Sequence, residues 1–476
     1  MRALALGGFV SSLVVGCGAK SGLDDLGSTA QSAGVGGGED GAGARGGGGG
    51  EDGAGAPGGG APCPRSSDAW SLALGADSTT TNIHAAVVDP AGDVVLLALI
   101  MEPVDLGCGV VATGEGNAAR VLAKLDPFGN LLWYRTWKGN VDDYGGRVRL
   151  AVDDLGRIYV QEPVAAFGDA SPSAFQGYLT SFDASGNRRW QRTLPLNARA
   201  SSFSAAADGS LALGGYLYGD ADFGLGTLSG DGSVRTSFFV RYDDAGQPLA
   251  STLVRGADGD VVPGGVDGLL LLPGGDVVTV AGGSGMSTTV LERLDPTGDI
   301  EWTRDAGAEG TYDTYTPWML AQSGDAFLSA WQGAVESDSL ATGETTWRVD
   351  ATTPTTASCM YPPCGVTYAD MTVRGDGSSV LVGWLAGSAT IGGATVTAVD
   401  GQDALLVALS TAGAPSPMSF HGAAGQRIES VSVDPRGFAV ITGTMFDGTL
   451  DLGPAGSIAS TDAMTTTSFV ARVPLP

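Results

Sequence analysis

One short pattern constrains the fold more than any other feature of the chain: an Asp, two intervening residues and a Gly, set between runs of β-branched and aromatic residues. The segment 126–129, Asp-Pro-Phe-Gly, shows it most completely. Asp, Pro and Gly at the first, second and fourth positions favour a type I turn. A turn of this kind between two alternating runs predicts a β-hairpin. Its recurrence from about residue 68 to the end of the chain predicts an all-β protein.

The hairpins are of two kinds. One kind carries a Trp four residues after the Gly. Its complete copies are Asp126, Gly129 and Trp133; Asp183, Gly186 and Trp190; and Asp295, Gly298 and Trp302. A less complete copy, without the Asp, contains Gly343 and Trp347. The other kind lacks the Trp and has its Gly at positions 92, 156, 209, 275, 324, 377 and 437. Two hairpins make four strands, and seven such units predict a seven-bladed β-propeller of four-stranded antiparallel blades. We expect the repeated Trp residues to pack between blades, and a role as sugar platforms is the alternative.

The two ends of the repeat region complement each other. The last unit ends near residue 473 without a Trp-bearing strand, while a strand of that kind stands alone at 68–75 and contains Trp70. A sheet edge left open exposes unpaired backbone groups. We therefore expect strand 68–75 to pair with 468–474 and to close a single domain, residues 63–476.

The first residues have the features of an export signal. Arg2 is followed by a mostly apolar run at 3–15, which is shorter than the ~20 residues of a membrane-spanning helix. Residues 13–17, Leu-Val-Val-Gly-Cys, resemble the lipobox of bacterial lipoproteins. The resemblance implies a signal peptide at 1–16, lipid on Cys17, and a place in the outer membrane of a Gram-negative bacterium, facing the periplasm or the cell surface. An ordinary secretory signal is the alternative.

Residues 17–62 are rich in Gly and poor in large apolar side chains. Such a segment buries too little surface to offset the entropy lost on ordering. We therefore expect a disordered linker between the lipidated Cys17 and the propeller, with the membrane as the partner at this end of the protein.

The repeats also resemble the SBBP-type propeller repeats of bacteria, in which a valine-rich strand ends in Asp-x-x-Gly and leads to a Trp. The segment 215–224, which ends in Asp222-Phe223-Gly224, is similar to another part of that repeat. The resemblance covers most of 68–476. It implies a propeller fold and does not specify an activity.

Four cysteines remain besides Cys17, and these are Cys63, Cys108, Cys359 and Cys364. An even number in an exported chain indicates two disulfides. We expect the pairs Cys63–Cys108 and Cys359–Cys364, although the sequence leaves all three pairings open. A zinc site is the weaker alternative, because no His lies near these cysteines.

Charge excludes one class of function. The chain has 25 basic and 52 acidic residues, a formal net charge of −27. A protein of this sign does not coat nucleic acid, because phosphate binding requires clustered Lys and Arg. His84 and His421 are the two histidines, and neither has a visible partner in the sequence. We expect surface or structural roles for both.

The sequence predicts no catalytic residue, metal or cofactor, because no catalytic motif is present. We therefore predict a monomeric binding or interaction module on a lipid anchor, with an unknown protein or glycan ligand. The main alternative is a propeller hydrolase or lyase that uses carboxylates at the mouth of the ring. A quinoprotein-like oxidoreductase is a second alternative, because residues 340–348 resemble a quinoprotein repeat. Calcium at Asp220 and Asp222 stays open.

Overall fold

The computed structural model describes a chain built from strands. The residues that it describes are 53–55, 65–74, 81–107, 111–112, 118–138, 148–165, 175–256, 259–282, 289–305, 318–331, 333–353, 365–422, 425–460 and 466–476. The chain divides into two units, 1–51 and 52–476, and every described residue belongs to the second unit. The predicted signal peptide 1–16, most of the linker 17–62, Cys17, Cys63, Cys108, Cys359 and Cys364 lie outside the described residues.

The strands are numbered in chain order, and the first two are β1 (Gly53–Gly55) and β2 (Trp70–Leu74). Seven groups of four antiparallel strands follow in the described part of the chain. Sheet 1 contains β3 (Thr81–Val88), β4 (Val94–Ile100), β7 (Ala119–Leu125) and β8 (Leu131–Lys138). Sheet 2 contains β9 (Arg149–Val152), β10 (Ile158–Ala165), β11 (Phe175–Phe182) and β12 (Arg188–Thr193). Sheet 3 contains β13 (Ala198–Ala205), β14 (Leu211–Leu217), β17 (Thr236–Tyr242) and β18 (Pro248–Leu253).

The remaining four sheets continue in the same order. Sheet 4 contains β19 (Gly265–Leu271), β20 (Val277–Gly282), β21 (Val290–Leu294) and β22 (Ile300–Asp305). Sheet 5 contains β23 (Met319–Ser323), β24 (Ala326–Trp331), β25 (Ala334–Ser339) and β26 (Thr345–Thr352). Sheet 6 contains β27 (Gly365–Val373), β28 (Ser379–Ile391), β29 (Ala394–Leu409) and β30 (Pro415–Phe420). Sheet 7 contains β31 (Gln426–Val433), β32 (Phe438–Phe446), β35 (Thr466–Pro474) and β2.

A few elements lie outside this pattern. The short hairpins are β5 (Val104–Asp105) with β6 (Val111–Ala112), β15 (Asp220–Asp222) with β16 (Thr227–Ser229), and β33 (Gly448–Asp451) with β34 (Ser457–Ser460). A 3-10 turn covers Gly453–Ala455. β1 adds a fifth strand to the outer side of β8, and the end of β26 pairs with the end of β28. The described residues include no helix that is long and apolar enough to cross a bilayer. The prediction of an all-β fold made of four-stranded antiparallel sheets is confirmed.

The turns explain why the strands end where they do. Oδ1 of Asp126 accepts hydrogen bonds from the backbone N–H groups of Phe128 and Asn130, at 2.8 and 2.9 Å. The backbone N–H of Gly129 in turn donates to the carbonyl of Asp126, and Gly129 has a φ of 80°. A residue with a Cβ adopts this φ only at a cost, so the Gly is required by the turn itself. The same arrangement recurs at Asp183 and Asp295.

The first strands of the seven sheets form a closed cycle. β3, β9, β13, β19, β23, β27 and β31 each contact the next in this order, and β31 contacts β3. The inner edge of a first strand has backbone groups that pair with no other strand. Side chains of the preceding sheet supply partners: Ser430 Oγ accepts from the N–H of Ala86 at 3.3 Å, and Ser432 Oγ accepts from the N–H of Val88 at 3.0 Å.

Sheet 7 joins the two ends of the described chain. β2 pairs with β35, so that Trp70 lies opposite Arg472 and Leu74 opposite Ser468. The apolar core lies between neighbouring sheets, and one of its clusters combines Trp70 and Val470 of sheet 7 with Ile83 of sheet 1.

Candidate functional site

The repeated Trp residues lie between neighbouring sheets. The ring of Trp133 covers Gly186 so closely that a Cβ on that Gly would lie 2.8 Å from it. Four further contacts of this kind join Trp70 to Gly129, Trp190 to Gly246, Trp302 to Gly343, and Trp347 to Gly413. The indole nitrogen of Trp133 also donates to the carbonyl of Ala184 at 3.2 Å. Gly298 is the exception, because Thr252 takes the place of a Trp against it.

The aspartates of the turns are occupied by hydrogen bonds within their own turns, as described above. Asp222, considered for calcium, is used similarly, because its Oδ1 accepts from the N–H groups of Gly224 and Gly226 at 2.7 and 3.2 Å. Among the described residues, no group of three or more His, Cys, Asp and Glu side chains is placed to hold a metal ion.

The two ends of the sheets differ. At one end, here called the turn end, tight turns such as 89–93 and 126–130 connect the first strand of a sheet to the second and the third to the fourth. The opposite end, here called the loop end, carries the second-to-third connections and the connections between sheets. These connections vary in length: two residues separate β28 from β29, whereas eleven separate β18 from β19.

The turn end holds an open depression of about 600 Å³ that is lined by the first turns of sheets 1, 2, 6 and 7. The first turn position is an Asp in sheets 1, 2 and 7 and Arg374 in sheet 6, and the three carboxylates already have partners. Asp89 Oδ2 lies 2.7 Å from Lys124 Nζ, Asp153 Oδ2 accepts from the hydroxyl of Tyr159 at 2.9 Å, and Asp434 Oδ2 accepts from Arg472 Nε at 2.7 Å. These three aspartates therefore stabilise the turns and do not form a free carboxylate pair.

Between sheets 1 and 2 lies a cleft of about 370 Å³, here called the sheet 1–2 cleft. Its lining combines aromatic, hydroxyl, amide and charged side chains, and consists of Arg135, Thr136, Trp137, Glu162, Thr180, Phe182, Gly186, Asn187, Arg188 and Gln191. Trp137 and Phe182 form its aromatic wall, with ring centroids 5.9 Å apart and stacked. On the polar side, Gln191 Nε2 donates to Thr180 Oγ1 at 3.1 Å.

A buried ionic network supports this cleft. The indole N–H of Trp137 lies 3.2 Å from both oxygens of Glu162, and Arg120 Nε lies 3.2 Å from Oε1 of the same carboxylate. Arg120 Nη1 donates to Nε2 of His84 at 2.5 Å. Burial and the charge of Arg120 lower the pKa of His84 to about 3, so the ring stays neutral and accepts this hydrogen bond. The charge of Glu162 is therefore compensated, which allows a carboxylate to line a cleft between packed sheets.

The structure gives His84 a partner, Arg120, that was not visible in the sequence. Arg120 lies on the third strand of sheet 1, and Glu162 lies in the next sheet, so spacing along the chain gives no indication of the contact. Alternation along the strands does place Asn82, Leu99 and Arg120 in one cross-strand row, which identifies the face of the sheet but not the partner.

Buried carboxylates occur elsewhere, and of those described here only Asp338 has a second carboxylate, Glu336, among the causes of its pKa shift. Burial raises the pKa of Glu292 to about 7 and that of Asp370 to about 6. Burial is also the first cause of the raised pKa values of Asp338 and Glu429. Asp370 Oδ2 accepts from the N–H of Val431 at 2.9 Å and so links two first strands. Since burial, rather than a second carboxylate, dominates each of these shifts, they do not indicate an acid–base dyad.

Comparisons with known proteins define no family for this chain. No protein-family model matches it, and no curated protein matches it. Among solved structures, BamB from Moraxella catarrhalis aligns over 84% of this chain and 98% of its own, at 13% identity and a TM-score of 0.38. A protein of unknown function from Bacteroides caccae aligns over 62% of this chain and 87% of its own, at 10% identity and a TM-score of 0.34. Both TM-scores are too low to support a conclusion about function.

Proposed function

We propose that the seven sheets are the blades of one seven-bladed β-propeller, and that this propeller is the binding module of a lipoprotein anchored through Cys17. The closed cycle of first strands supports the ring, because each sheet contacts two neighbours and the seventh contacts the first. The lipobox-like residues 13–17 and the Gly-rich linker up to 62 support the anchor. The location that follows is the outer membrane of a Gram-negative bacterium.

The sheet 1–2 cleft is the ligand site of this module, and its chemistry fits a neutral saccharide. Its volume of about 370 Å³ falls near the lower limit of ligand pockets, which are ~300–1,000 Å³. Trp137 and Phe182 supply apolar area for a sugar ring, while Thr180 and Gln191 supply hydroxyl and amide groups for its hydroxyls. Arg120 compensates the charge of Glu162, and the guanidinium of Arg135 donates to the carbonyls of Gly186 and Ser185, so neither of these charges requires an ionic ligand. The single observation that supports this function is the combination of an aromatic wall with hydrogen-bonding side chains in one cleft.

Titration with glucose, galactose, N-acetylglucosamine and their disaccharides tests the ligand class. We expect at least one of them to quench the fluorescence of Trp137 and to release heat on binding. The variants Trp137→Ala and Gln191→Ala should lose this binding, whereas Leu249→Ala should retain it, because Leu249 lies in a different depression. Binding that persists in Trp137→Ala would place the site elsewhere, and no binding to the wild-type protein would show that the saccharide class is wrong.

Metabolic labelling with a fatty-acid analogue tests the anchor. The wild-type protein should incorporate the label and fractionate with membranes, and the Cys17→Ser variant should do neither. Unchanged labelling of Cys17→Ser would show that the lipid is not carried by this residue.

A further inference from the structure

Three side chains of sheet 6, away from the sheet 1–2 cleft, are connected in series. Nδ1 of His421 lies 2.7 Å from Oδ2 of Asp403, and Nε2 of the same ring lies 3.2 Å from Oγ of Ser419. One ring nitrogen thus contacts a carboxylate and the other a hydroxyl. This is the connectivity in which a His takes the proton of a nucleophilic Ser while a carboxylate fixes the ring.

Strand pairing holds the three residues together. β29 and β30 are antiparallel, with Leu405 opposite Ser419 and Ala404 opposite Phe420. Side chains alternate along a strand, and His421 directly follows β30, so it continues the face on which Ser419 lies. Continuing the register by one residue places Asp403 opposite His421, which accounts for their contact.

The carboxylate and the imidazole differ in exposure to solvent, as a hydrolytic site requires. The side chain of Asp403 is 0% exposed, and that of His421 is 48% exposed. Oδ2 of Asp403 also accepts from the backbone N–H of Val399 at 2.9 Å, which fixes the carboxylate. Oδ1 of Asp403 is buried without a hydrogen-bond partner among the described residues. The carboxylate is therefore held away from water, while the face of His421 towards solvent is open to a substrate.

We propose that Ser419, His421 and Asp403 form a hydrolytic site for carboxylic esters. Oγ of Ser419 attacks the carbonyl carbon, and its proton moves to Nε2 of His421. The bond from that carbon to the alcohol oxygen then breaks, Nε2 returns the proton to the departing alcohol, and the acyl group stays on Ser419. Water attacks this acyl ester and gives a proton to His421. Release of the carboxylic acid returns that proton to Ser419. Ser419 and His421 are the catalytic residues, and Asp403 is a positioning residue that holds the Nδ1 proton.

The place of β30 in the sheet favours esters over peptides. β30 is an outer strand of sheet 6, so every second backbone N–H on it points away from β29. The N–H of either Ser419 or Phe420 can therefore donate to the oxygen that gains negative charge during the attack. A single donor stabilises this charge less than the paired donors of peptidases do. An ester expels its alcohol more readily than an amide expels its amine, so esters need less stabilisation.

The test uses the full chain, a fluorophosphonate probe and p-nitrophenyl acetate. We expect one probe molecule per chain, on the peptide that contains Ser419, and hydrolysis of the ester with turnover. Ser419→Ala and His421→Ala should abolish labelling and lower the hydrolysis rate by at least ~100-fold, the contribution expected of a nucleophile with its general base. Ser416→Ala is the matched control, because Ser416 is exposed on the same strand, and it should leave both readings unchanged.

Asp403→Asn distinguishes a positioning role from a structural one. It should lower kcat with little change in KM, with a thermal transition that shows the variant is folded. The wild-type protein decides the proposal even if a variant fails to fold. If the folded wild-type protein takes up no probe at Ser419, or if Ser419→Ala hydrolyses the ester at the wild-type rate, the proposal is wrong. Equal losses in Ser416→Ala and Ser419→Ala would also overturn it.

Discussion

The turn end of the sheets and the polar clusters between strands are made from the same repeated hairpins, but different interactions determine them. At the turn end each connection closes on itself, as when Asp126 accepts hydrogen bonds from residues two and four positions further on. The polar clusters depend on residues that are far apart in the sequence, such as Arg120 with Glu162 or Asp403 with His421. The hydrogen bonds within turns therefore repeat from sheet to sheet, whereas each polar cluster is found in a single place in the structure. The candidate sites lie among the clusters that do not repeat.

The pKa values of the carboxylates also differ between the turn end and the polar clusters between strands. At the turn end, hydroxyl donors lower the pKa values of Asp295 and Asp376, because Thr297 and Ser378 hydrogen-bond to the ionised carboxylates. Between strands, burial raises the pKa of Glu292 to about 7. Turn carboxylates thus favour the folded protein when they are charged, and the buried carboxylate favours it when protonated.

The largest expected effect comes from removing β2. Deletion of residues 1–76 removes the strand that pairs with β35, together with Trp70, which is 3% exposed and lies on Gly129. Loss of a buried Trp alone costs ~3–5 kcal/mol, so we expect an unstable or aggregating protein. Deletion of residues 1–62 is the matched control, because it also removes β1 but leaves β2 in place. Urea unfolding followed by Trp fluorescence compares the two, and equal midpoints would show that β2 does not hold the ring closed.

A smaller effect is expected from Gly186→Ala. Gly186 has a φ of 76°, and a Cβ there would lie 2.8 Å from Trp133. The backbone conformation costs ~1 kcal/mol for a non-Gly residue, and overpacking against the indole adds ~1–3 kcal/mol to the loss of unfolding free energy. Gly226→Ala provides the control, because Gly226 also has a positive φ but has nothing within 4 Å of its Cβ position. If both variants lose the same stability, the Trp contact does not contribute to the requirement for Gly.

The smallest effect is expected from Glu292→Gln, and it should depend on pH. The folded pKa of about 7 lies above the ordinary value of 4.5, so the folded protein holds this proton more tightly than the unfolded chain. Stability of the wild-type protein should therefore decrease as pH rises from about 4.5 to about 7. The variant carries no such charge, so at pH 8 it should be more stable than the wild type by on the order of 2–3 kcal/mol and nearly equal to it at pH 4.5.

Glu344→Gln makes the same chemical change at an exposed position and is the control for the substitution itself. It should alter the free energy of unfolding by less than Glu292→Gln does at pH 8. A Glu292→Gln difference that is the same at pH 4.5 and pH 8 would show that Glu292 does not titrate in this range.

These differences explain which features of the structure could be predicted from the sequence. The all-β fold and its four-stranded antiparallel sheets were predictable, because the turn residues act within five positions of each other. The partner of His84 was not, because Arg120 becomes its neighbour only after β4 and β7 have paired. The partners of His421 were not predictable either, because Ser419 shares its face only once this segment forms a strand. Asp403 completes the contact only through the pairing of β29 with β30.

The long separation in sequence between β2 and β35 also affects how the protein folds. During synthesis β2 emerges well before its partner strand Thr466–Pro474. Until then the apolar side chains of Trp70, Leu72 and Leu74 have no sheet to cover them, and the chain must bring its most distant segments together. Pairings that span so much of the chain form slowly, because the entropy of closing the loop is lost before any contact is gained. We therefore expect the pairing of β2 with β35 to be a slow step of folding, at which the unpaired strands are exposed to mispairing with another copy.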